Sequence, residues 1–410
     1  MSASPARECD VVIVGGGMVG ASLAVALSAL PLRIAVIEAF ELRSRAQPSY
    51  DDRSTALAFG SRCILEGLGL WPFVAPEAEP IRRVHVSQRG YFGITRLSAA
   101  EEGVPALGYV VPNRALGAAL ASRLDELDNV ELICPARVER VVTSSDLATL
   151  RISAGAESFD LHARLLVAAD GAKSTVRQAL GIGEAHHDYH QAAIVANVNT
   201  EHPHDGRAFE RFTAEGPVAF LPLTEDRCAV VMTIAEARRE ELQDMPDADF
   251  LAYLQQRFGH RLGRLLRVGK RQTYPLRQTL AGAQHAQRAV IIGNAAHSLH
   301  PIAGQGFNLS LRDVAALADH LADAVRAGDD PGAAEILAAY VAERRRDQRR
   351  TIGFTHWLHE IFSPGLSALS HLRGLGLATV EVCPPLRRLL ARRNMGRAGR
   401  LPRLARGLRP

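Results

Sequence analysis

The chain has 410 residues, of which 47% are hydrophobic and 22% charged, and its net charge is +4. It can therefore bury a sizeable core and suits two interleaved domains better than one small domain. The five cysteines are odd in number and form no C-x-x-C pair, which argues against a disulfide framework or a zinc site and indicates a reducing cytoplasm. No stretch approaches the roughly 20 apolar residues of a spanning helix, so we expect a cytoplasmic protein, at most peripheral on the inner membrane.

The amino-terminal segment predicts a β-turn-α-β unit. Residues 11–14 form a buried strand, residues 15–20 a glycine-rich turn, residues 21–30 a helix and residues 34–38 a second strand. This order indicates a Rossmann-like nucleotide-binding domain.

The turn carries the glycine pattern of a dinucleotide site. Gly15, Gly17 and Gly20 match G-x-G-x-x-G, which permits a tight turn, close approach of a pyrophosphate and tight packing of helix on strand. The helix start offers free N–H groups and positive potential to that pyrophosphate. Glu38 ends the second strand, where an acid can accept hydrogen bonds from both hydroxyls of an adenosine ribose. We therefore interpret the segment as a site for FAD or NAD and not as a plain glycine-rich turn.

The following segments leave this unit and return to it. Residues 84–86 and 94–96 predict an antiparallel hairpin that interrupts the nucleotide-binding domain. A helix at residues 115–127 and an apolar strand at residues 165–169 belong to that domain again. Residues 192–234 predict a β-meander, which we assign to a substrate-binding sheet.

We therefore predict an α/β fold with an interleaved antiparallel-sheet domain and a helical carboxyl terminus. The predicted FAD-binding domain comprises residues 1–80, 105–182 and 270–345, the substrate-binding sheet residues 81–104 and 183–269, and the helical, basic end residues 346–410.

Two later segments complete the predicted cofactor site. An apolar strand ends at Asp170 and leads into a helix near Ser174, although this pattern is also typical of a simple capped turn. A strand at residues 289–292 delivers Asn294, whose amide can hold a ribityl hydroxyl. Residues 304–308 then begin a long helix whose free N–H groups can stabilise negative charge on a reduced flavin.

These segments, in this order, resemble the single-component FAD-dependent aromatic hydroxylases. Within that group the chain resembles the ubiquinone-biosynthesis hydroxylases, and most of all the 2-octaprenyl-6-methoxyphenol hydroxylase type. The resemblance covers essentially the whole chain, because residues 52–57, 84–90 and 206–213 also look like that type. Asn294 departs from the wider superfamily, which usually has Asp there. An amide keeps an acceptor oxygen, so binding should survive.

The resemblance implies a role for each residue of an FAD site. Gly15, Gly17 and Gly20 would bind pyrophosphate, Glu38 the adenosine ribose, Arg53 and Arg114 the pyrophosphate-ribityl region, Asp170 the flavin-nicotinamide cleft, and Asn294, Gly304, Gln305, Gly306 and Asn308 the ribityl chain and flavin ring. No catalytic residue is identified, and His300, Pro301 and Gly304 are candidates at the flavin face.

The resemblance also implies a reaction. Reduced flavin forms a C4a-hydroperoxide with O2, and its distal oxygen attacks the electron-rich ring of a polyprenylated phenol. NADPH, NADH and a separate reductase stay open as the electron donor. The sequence has no second Rossmann fingerprint for a nicotinamide cofactor. Members of this group are expected to work in a multiprotein assembly near the membrane.

The sequence also permits several other interpretations. His297 and His300 flank the flavin motif, but a histidine in such a position is more often structural than catalytic. His186, His187, Asp188 and His190 suggest a zinc site, yet we expect a surface loop and no metal. A non-catalytic prenyl-binding protein, a flavin reductase or a halogenase would share the fold, as would a hydroxylase of another ring position or of a soluble phenol.

The carboxyl terminus is rich in arginine. Residues 387–409 contain nine arginines and no acid. Such a segment can lie on an anionic membrane or bind an acidic partner, or it can be a frayed, solvated end. A nucleic-acid partner is not expected, because the segment lacks aromatic residues for base stacking.

Overall fold

The computed structural model describes residues 6–44, 47, 49, 51, 53–299, 304–362 and 370–410, without the side chains of residues 358–360, 362 and 370. In chain order the strands of these residues are β1 (Arg7–Val14), β2 (Ile34–Ile37), β3 (Ser54–Ala58), β4 (Glu79–Ile81), β5 (Arg83–Gln88), β6 (Ile94–Ser98), β7 (Gly108–Pro112), β8 (Val130–Ile133), β9 (Arg137–Thr143), β10 (Ala148–Ala154), β11 (Glu157–Ala168), β12 (Glu184–Thr200), β13 (Arg207–Thr213), β14 (Gly216–Pro222), β15 (Arg227–Ala235), β16 (Leu265–Val268), β17 (Gln272–Ala281), β18 (His285–Ala286), β19 (Ala289–Ile291) and β20 (His297–Ser298). The helices are α1 (Met18–Leu27), α2 (Phe59–Gly67), α3 (Trp71–Val74), α4 (Asn113–Asp125), α5 (Thr175–Ala179), α6 (Arg239–Asp244), α7 (Asp247–Phe258), α8 (Gln305–Ala327), α9 (Ala334–Phe362), α10 (Ser370–Val382) and α11 (Pro384–Asn394).

The first sheet forms the nucleotide-binding core. Its strand order is β18-β19-β11-β1-β2-β8, and the neighbours from β19 to β8 run parallel. β10 pairs antiparallel with β11, and β9 with β10. The parallel strands are almost wholly apolar because both faces are buried, with α1, α4 and α8 packed on one of them. This arrangement confirms the predicted Rossmann-like unit.

The glycine-rich turn enters its helix earlier than predicted. α1 begins at Met18, with Gly17 as its N-cap, instead of at residue 21. The Ala21 amide donates a hydrogen bond to the Gly17 carbonyl at 3.0 Å, and Gly20 packs so closely on the turn that a Cβ there would lie 1.9 Å from the carbonyl oxygen of Gly15. Gly20 therefore belongs to the first turn of the helix and not to the loop before it.

The second sheet lies beside the first and is mostly antiparallel. Its strand order is β20-β17-β12-β15-β14-β13-β5-β6, and β16 pairs with β12. The predicted hairpin is confirmed as β5 and β6, with Val84 opposite Leu97. β17 pairs with β12 and β20, whereas a boundary at residue 270 would put it in the FAD-binding domain. We propose that the substrate-binding sheet extends through residue 281.

A third, small sheet was not predicted. It has the order β3-β7-β4 and packs beside the start of α8. The side chain of Asn308 holds it there, because its oxygen accepts a hydrogen bond from the Ala58 amide and its nitrogen donates to the Ala56 carbonyl. This sheet brings residues 53–58 to the predicted flavin segment.

The carboxyl-terminal residues pack on the body of the protein. Leu404 is buried and contacts Gly67 of α2, and Arg403 forms ion pairs with Asp319 and Asp323 of α8. A frayed, solvated end is therefore the wrong interpretation for this part of the segment. None of the helices among the described residues is long and apolar enough to cross a membrane.

Candidate cofactor and substrate site

The predicted cofactor residues meet at one edge of the first sheet. β19, β11, β1 and β2 are adjacent parallel strands, so their carboxyl ends lie side by side. Asn294, Asp170, Gly15 and Glu38 follow these four strands in that spatial order. Ligands of open α/β sheets bind in the crevice outside such strand ends. The structure thus brings together residues that are 279 positions apart in sequence, from Gly15 to Asn294.

Two of the three glycines are required by the protein itself. Gly15 has φ +104°, and a Cβ there would lie 2.4 Å from the Ala169 carbonyl oxygen, where β11 ends. Gly20 is in contact with Gly15, as described above. Gly17 differs, because a Cβ there would meet only the Ser49 hydroxyl, at 2.9 Å. Gly17 therefore leaves its backbone accessible at the helix start, where a pyrophosphate would bind.

The carboxylate of Glu38 is fixed at the end of β2. One oxygen accepts a hydrogen bond from the Gly16 amide at 2.6 Å, and the other accepts from the Phe40 amide at 2.8 Å. Each carboxylate oxygen has further lone pairs, so the group can still accept from ribose hydroxyls. A direct hydrogen bond thus joins the glycine-rich turn to Glu38.

Asp170 provides a test of whether the crevice fits FAD. Its Oδ2 accepts hydrogen bonds from Thr175 and from the Val176 amide, at the start of α5. Its Oδ1 is buried and has no hydrogen-bond partner in the described part of the chain. Buried acceptors are rarely left unpaired, so this oxygen fits a hydroxyl donor from a bound molecule. A sugar or ribityl hydroxyl of FAD is such a donor.

Arg177 joins two of the motifs, a role that the sequence did not reveal. It is buried and donates hydrogen bonds to the carbonyl oxygens of Ala295, at 2.8 Å, and Ala172, at 3.1 Å. It also forms an ion pair with Glu184 at the start of β12. The hydrogen bonds of Arg177 to Ala172 and Ala295 fix the segment after Asp170 against the segment after Asn294. The signal in the sequence was an arginine three residues after the Ser174 cap.

The start of α8 is arranged as an open platform. Gly304 has φ +59°, and a Cβ on Gly306 would meet no atom within 4 Å. The side-chain nitrogen of Asn308 also donates a hydrogen bond to the Gly304 carbonyl, at 2.7 Å. Asn308 therefore holds the platform in place, in addition to the flavin contact that the resemblance implies. Gly306 leaves room for a flat ring.

Arg53 and Arg114 lie apart. Arg53 pairs with Asp51 at 2.5 Å and stacks over the Tyr274 ring at 4.7 Å, beside the platform. Arg114 is exposed and pairs with Glu77 at 2.5 Å. Both line a small cavity of about 310 Å³, and Arg53 also lines a large one. The geometry thus supports Arg53 as a cofactor contact more directly than Arg114.

The large cavity has a volume of about 1060 Å³ and three walls. One wall is the cofactor side, made of β3, Asn294 and residues 304–308. The second is a face of the second sheet, from β5 to β15. The third consists of α9, α10 and α11. Most side chains of the latter two walls are apolar, so the cavity suits a large, mainly apolar molecule.

Glu210 is an exception on the sheet wall. It is the single acidic residue among the described residues that line the cavity, and it forms no hydrogen bond or ion pair within the described chain. Burial raises the pKa of Glu210 to about 7. Glu210 lies within residues 206–213, which resemble the hydroxylase type, but the sequence indicates no role for it. The available signal was an acid at an inward position of an alternating strand.

His297 has a structural environment. Its Nε2 lies 2.6 Å from Asp313 Oδ2, and both side chains are buried. Asp313 also accepts hydrogen bonds from Arg344 at 2.6 Å and Gln348 at 3.1 Å. Burial alone would raise the pKa of Asp313, but the charges of Arg344 and His297 hold it at about 2. His300 and Pro301, the other flavin-face candidates, lie outside the described residues.

The histidine-rich segment lies in a strand and not in the predicted loop. His186, His187, Asp188 and His190 belong to β12, which has a bulge after Asp188. The donor atoms of Asp188, His190 and Glu236 lie within 4.8 Å of one another. Arg277 lies 3.0 Å from Asp188 and 3.9 Å from Glu236, so a guanidinium already neutralises both acids. We assign no ion to this group.

Comparisons with known proteins agree with this geometry. The FAD binding domain family matches residues 8–355. Ubiquinone hydroxylase UbiL of Rhodospirillum rubrum is 38% identical over 411 residues, covering 100% of this chain and 95% of that protein. The 3-demethoxyubiquinol 3-hydroxylase of Escherichia coli is 34% identical, covering 93% and 97%.

Solved structures show the same fold. p-Nitrophenol 4-monooxygenase PnpA from Pseudomonas putida DLL-E4 superposes with a TM-score of 0.78 at 20% identity, covering 96% of this chain and 100% of that one. PqsL from Pseudomonas aeruginosa superposes with a TM-score of 0.76 at 24% identity, covering 90% and 99%. The chain thus has the same fold as flavin-dependent monooxygenases. Its relatives in sequence include ubiquinone-pathway hydroxylases.

Proposed function

The chain belongs to the FAD binding domain family, and on that premise we propose that it hydroxylates the aromatic ring of a polyprenylated methoxyphenol in ubiquinone biosynthesis. Membership confirms the predicted FAD cofactor, the α/β fold class and the resemblance to aromatic hydroxylases. The observation that carries the proposal is the large apolar cavity directly beside the crevice that fits FAD.

The residues proposed to hold FAD lie along the crevice. Gly17 and the start of α1 would face the pyrophosphate, Glu38 the adenosine ribose, and Asp170, Asn294 and Arg53 the ribityl region. Gly304, Gln305 and Gly306 would lie against the flavin ring. When bound and reduced by NAD(P)H or another reductant, the flavin would activate O2, from which one oxygen atom passes to the ring and the other leaves as water. The protein positions the ring and excludes water.

The shape of the cavity supports a prenylated substrate. Leu372, Leu386, Leu389 and Trp357 line the cavity and are also exposed on the surface, so they form an apolar mouth. A phenol head could lie between the platform and the sheet while its tail leaves through this mouth. A soluble benzoate would gain nothing from such an exit.

A genetic experiment tests the function and the ring position together. Deleting the gene and identifying the accumulated quinone precursor by mass spectrometry should reveal a prenylated methoxyphenol that lacks one hydroxyl. An unchanged quinone content would contradict the proposal. The E. coli relative is named for hydroxylation at position 3 of demethoxyubiquinol, which is the second candidate reaction. Accumulation of a demethoxyquinone would select it.

We also propose that the mouth faces an anionic membrane. Leu372, Leu386 and Leu389 are 43–64% exposed, and the exposed Arg388 lies between the last two on α11. Apolar side chains flanked by arginine are typical of surfaces that insert shallowly among anionic lipids. A tail leaving the mouth would then enter the bilayer without crossing water.

Vesicle sedimentation tests this contact. The protein should sediment with phosphatidylglycerol vesicles, and the pair Leu386→Asp and Leu389→Asp should reduce the bound fraction severalfold, because each change places a negative charge against anionic lipid. Phe73→Asp is the matched control, since Phe73 is 63% exposed on α3 and is not among the described residues that line the cavity. Equal sedimentation of the pair and the control would rule out this face.

A further inference from the structure

Glu210 lies at the centre of the sheet wall of the large cavity. Ala208, Glu210 and Phe212 alternate along β13 with residues of the opposite face, where Phe209 packs on Phe258 of α7 with ring centroids 5.4 Å apart. Glu210 therefore points away from α7 and into the cavity that it lines.

The neighbours of Glu210 on this face are apolar. In the strand register Glu210 stands opposite Val86 of β5 and Ala219 of β14, and both line the cavity. A carboxylate among such neighbours loses much of its hydration, which disfavours its charged form. An acid at this position adds nothing to the packing of the sheet, and so calls for another explanation.

The charged groups that share the cavity do not neutralise Glu210. They are Arg53, Arg373 and Arg393, from the segment before β3 and from α10 and α11. Arg53 pairs with Asp51, and Arg393 stacks over Phe354 at 4.8 Å. No ion pair within the described chain joins Glu210 to any of the three. The carboxyl is thus available to a molecule in the cavity.

We propose that Glu210 is the general base of the hydroxylation and accepts the proton of the substrate's phenol. The inference rests on the proposed function. As the ring is attacked, the phenol O–H bond breaks, the proton goes to a Glu210 carboxylate oxygen, and the electron pair stays on the phenol oxygen and strengthens the ring as a nucleophile. A base that titrates close to the working pH is suited to such a transfer.

Kinetics of the FAD-loaded enzyme with a prenylated phenol provide the first test. Glu210→Gln keeps the size of the side chain but cannot accept the proton, so we expect kcat to fall about 100-fold or more while FAD content stays unchanged. The wild-type kcat/KM should rise with pH through about pH 7, where the carboxyl ionises, and the variant should lack this rise. Glu210→Asp should keep the rise at a lower rate. Glu139→Gln, on the exposed part of β9, is the control.

Binding of a simple phenol provides a second test that does not depend on turnover. Calorimetry with 4-methoxyphenol should give about tenfold tighter binding to the wild type at pH 8.5 than at pH 5.5, because an ionised acceptor forms the stronger hydrogen bond. Glu210→Gln should bind equally at both pH values. If that variant loses FAD or folds poorly, Glu210→Asp replaces it and should keep the pH dependence.

Wild-type kinetics in Glu210→Gln, or a pH-independent affinity in the wild type, would overturn the inference while leaving the proposed function intact. A wild-type enzyme that hydroxylates no prenylated phenol, yet binds 4-methoxyphenol with the expected pH dependence, would instead refute the proposed function and leave Glu210 as a phenol-binding base.

Discussion

At the scale of single residues, the three glycines of the G-x-G-x-x-G motif have different roles. Gly15 and Gly20 are needed for the contact of strand, turn and helix, because a Cβ at either would overlap a carbonyl oxygen. Gly17 has no such contact with the backbone and serves the proposed approach of the pyrophosphate. The same motif therefore combines positions that stabilise the fold with a position that is proposed to bind the pyrophosphate.

This difference predicts the behaviour of Gly17→Val. The branched side chain would occupy the space in front of the helix start, so we expect a folded but colourless protein. Gly183→Val is the matched control, because a Cβ at Gly183 meets no atom within 4 Å. The measurement is the flavin absorbance of each purified variant. Retained flavin in Gly17→Val would mean that the nucleotide binds elsewhere.

At the scale of elements, a buried charge network joins β20, α8 and α9. His297 and Arg344 both bind Asp313, and Arg344 also pairs with Asp347 at 2.6 Å. Because α8 carries the platform proposed for the flavin at its start, this network fixes the platform against α9. Removing one member leaves the others buried without full compensation.

Asp313→Asn should therefore lower the free energy of unfolding by about 3 kcal/mol, as measured by denaturant titration. Asp323→Asn removes an exposed ion pair with Arg403 and should cost at most about 1 kcal/mol. A loss in Asp313→Asn no larger than in this control would show that the network contributes nothing.

The pH dependence of that contribution has a definite sign. The folded-state pKa of Asp313, about 2, lies below the ordinary value of 3.8. Its stabilisation is complete above about pH 4 and is lost as the pH falls from 4 towards 2. The stability difference between wild type and Asp313→Asn should shrink over this window.

At the scale of the whole molecule, the carboxyl-terminal segment closes the nucleotide-binding domain. Leu404 packs against α2, and the Pro410 carbonyl accepts a hydrogen bond from Arg326 of α8. Leu404→Ala should lower the free energy of unfolding by about 2 kcal/mol or more through lost burial and an unfilled space. Leu408→Ala, at a side chain 49% exposed, should change it little. An equal loss of free energy of unfolding in the two variants would mean that the carboxyl-terminal segment does not pack on the domain when the protein is in solution.

The sequence by itself determined the nucleotide-binding unit and indicated the residues proposed to bind the cofactor, because glycine spacing, buried strands and a strand-end acid are local signals. Gly15, Glu38, Asp170 and Asn294 were all predicted to contact one cofactor, and the structure brings them to one common edge of parallel strands. The predicted start of α1 was less accurate, since the helix begins at Met18 and not at residue 21. Packing decides where a glycine-rich turn becomes a helix.

Tertiary structure alone decided which partners distant side chains acquire. Asn308 holds the third sheet, Arg177 joins two motifs, and Asp313 receives His297 and Arg344, all through contacts between residues far apart in the chain. Glu210 becomes distinctive only when β5 and β14 surround it with apolar neighbours. The desolvation of a side chain depends on which residues surround it in the folded protein, and a local sequence pattern does not contain that information.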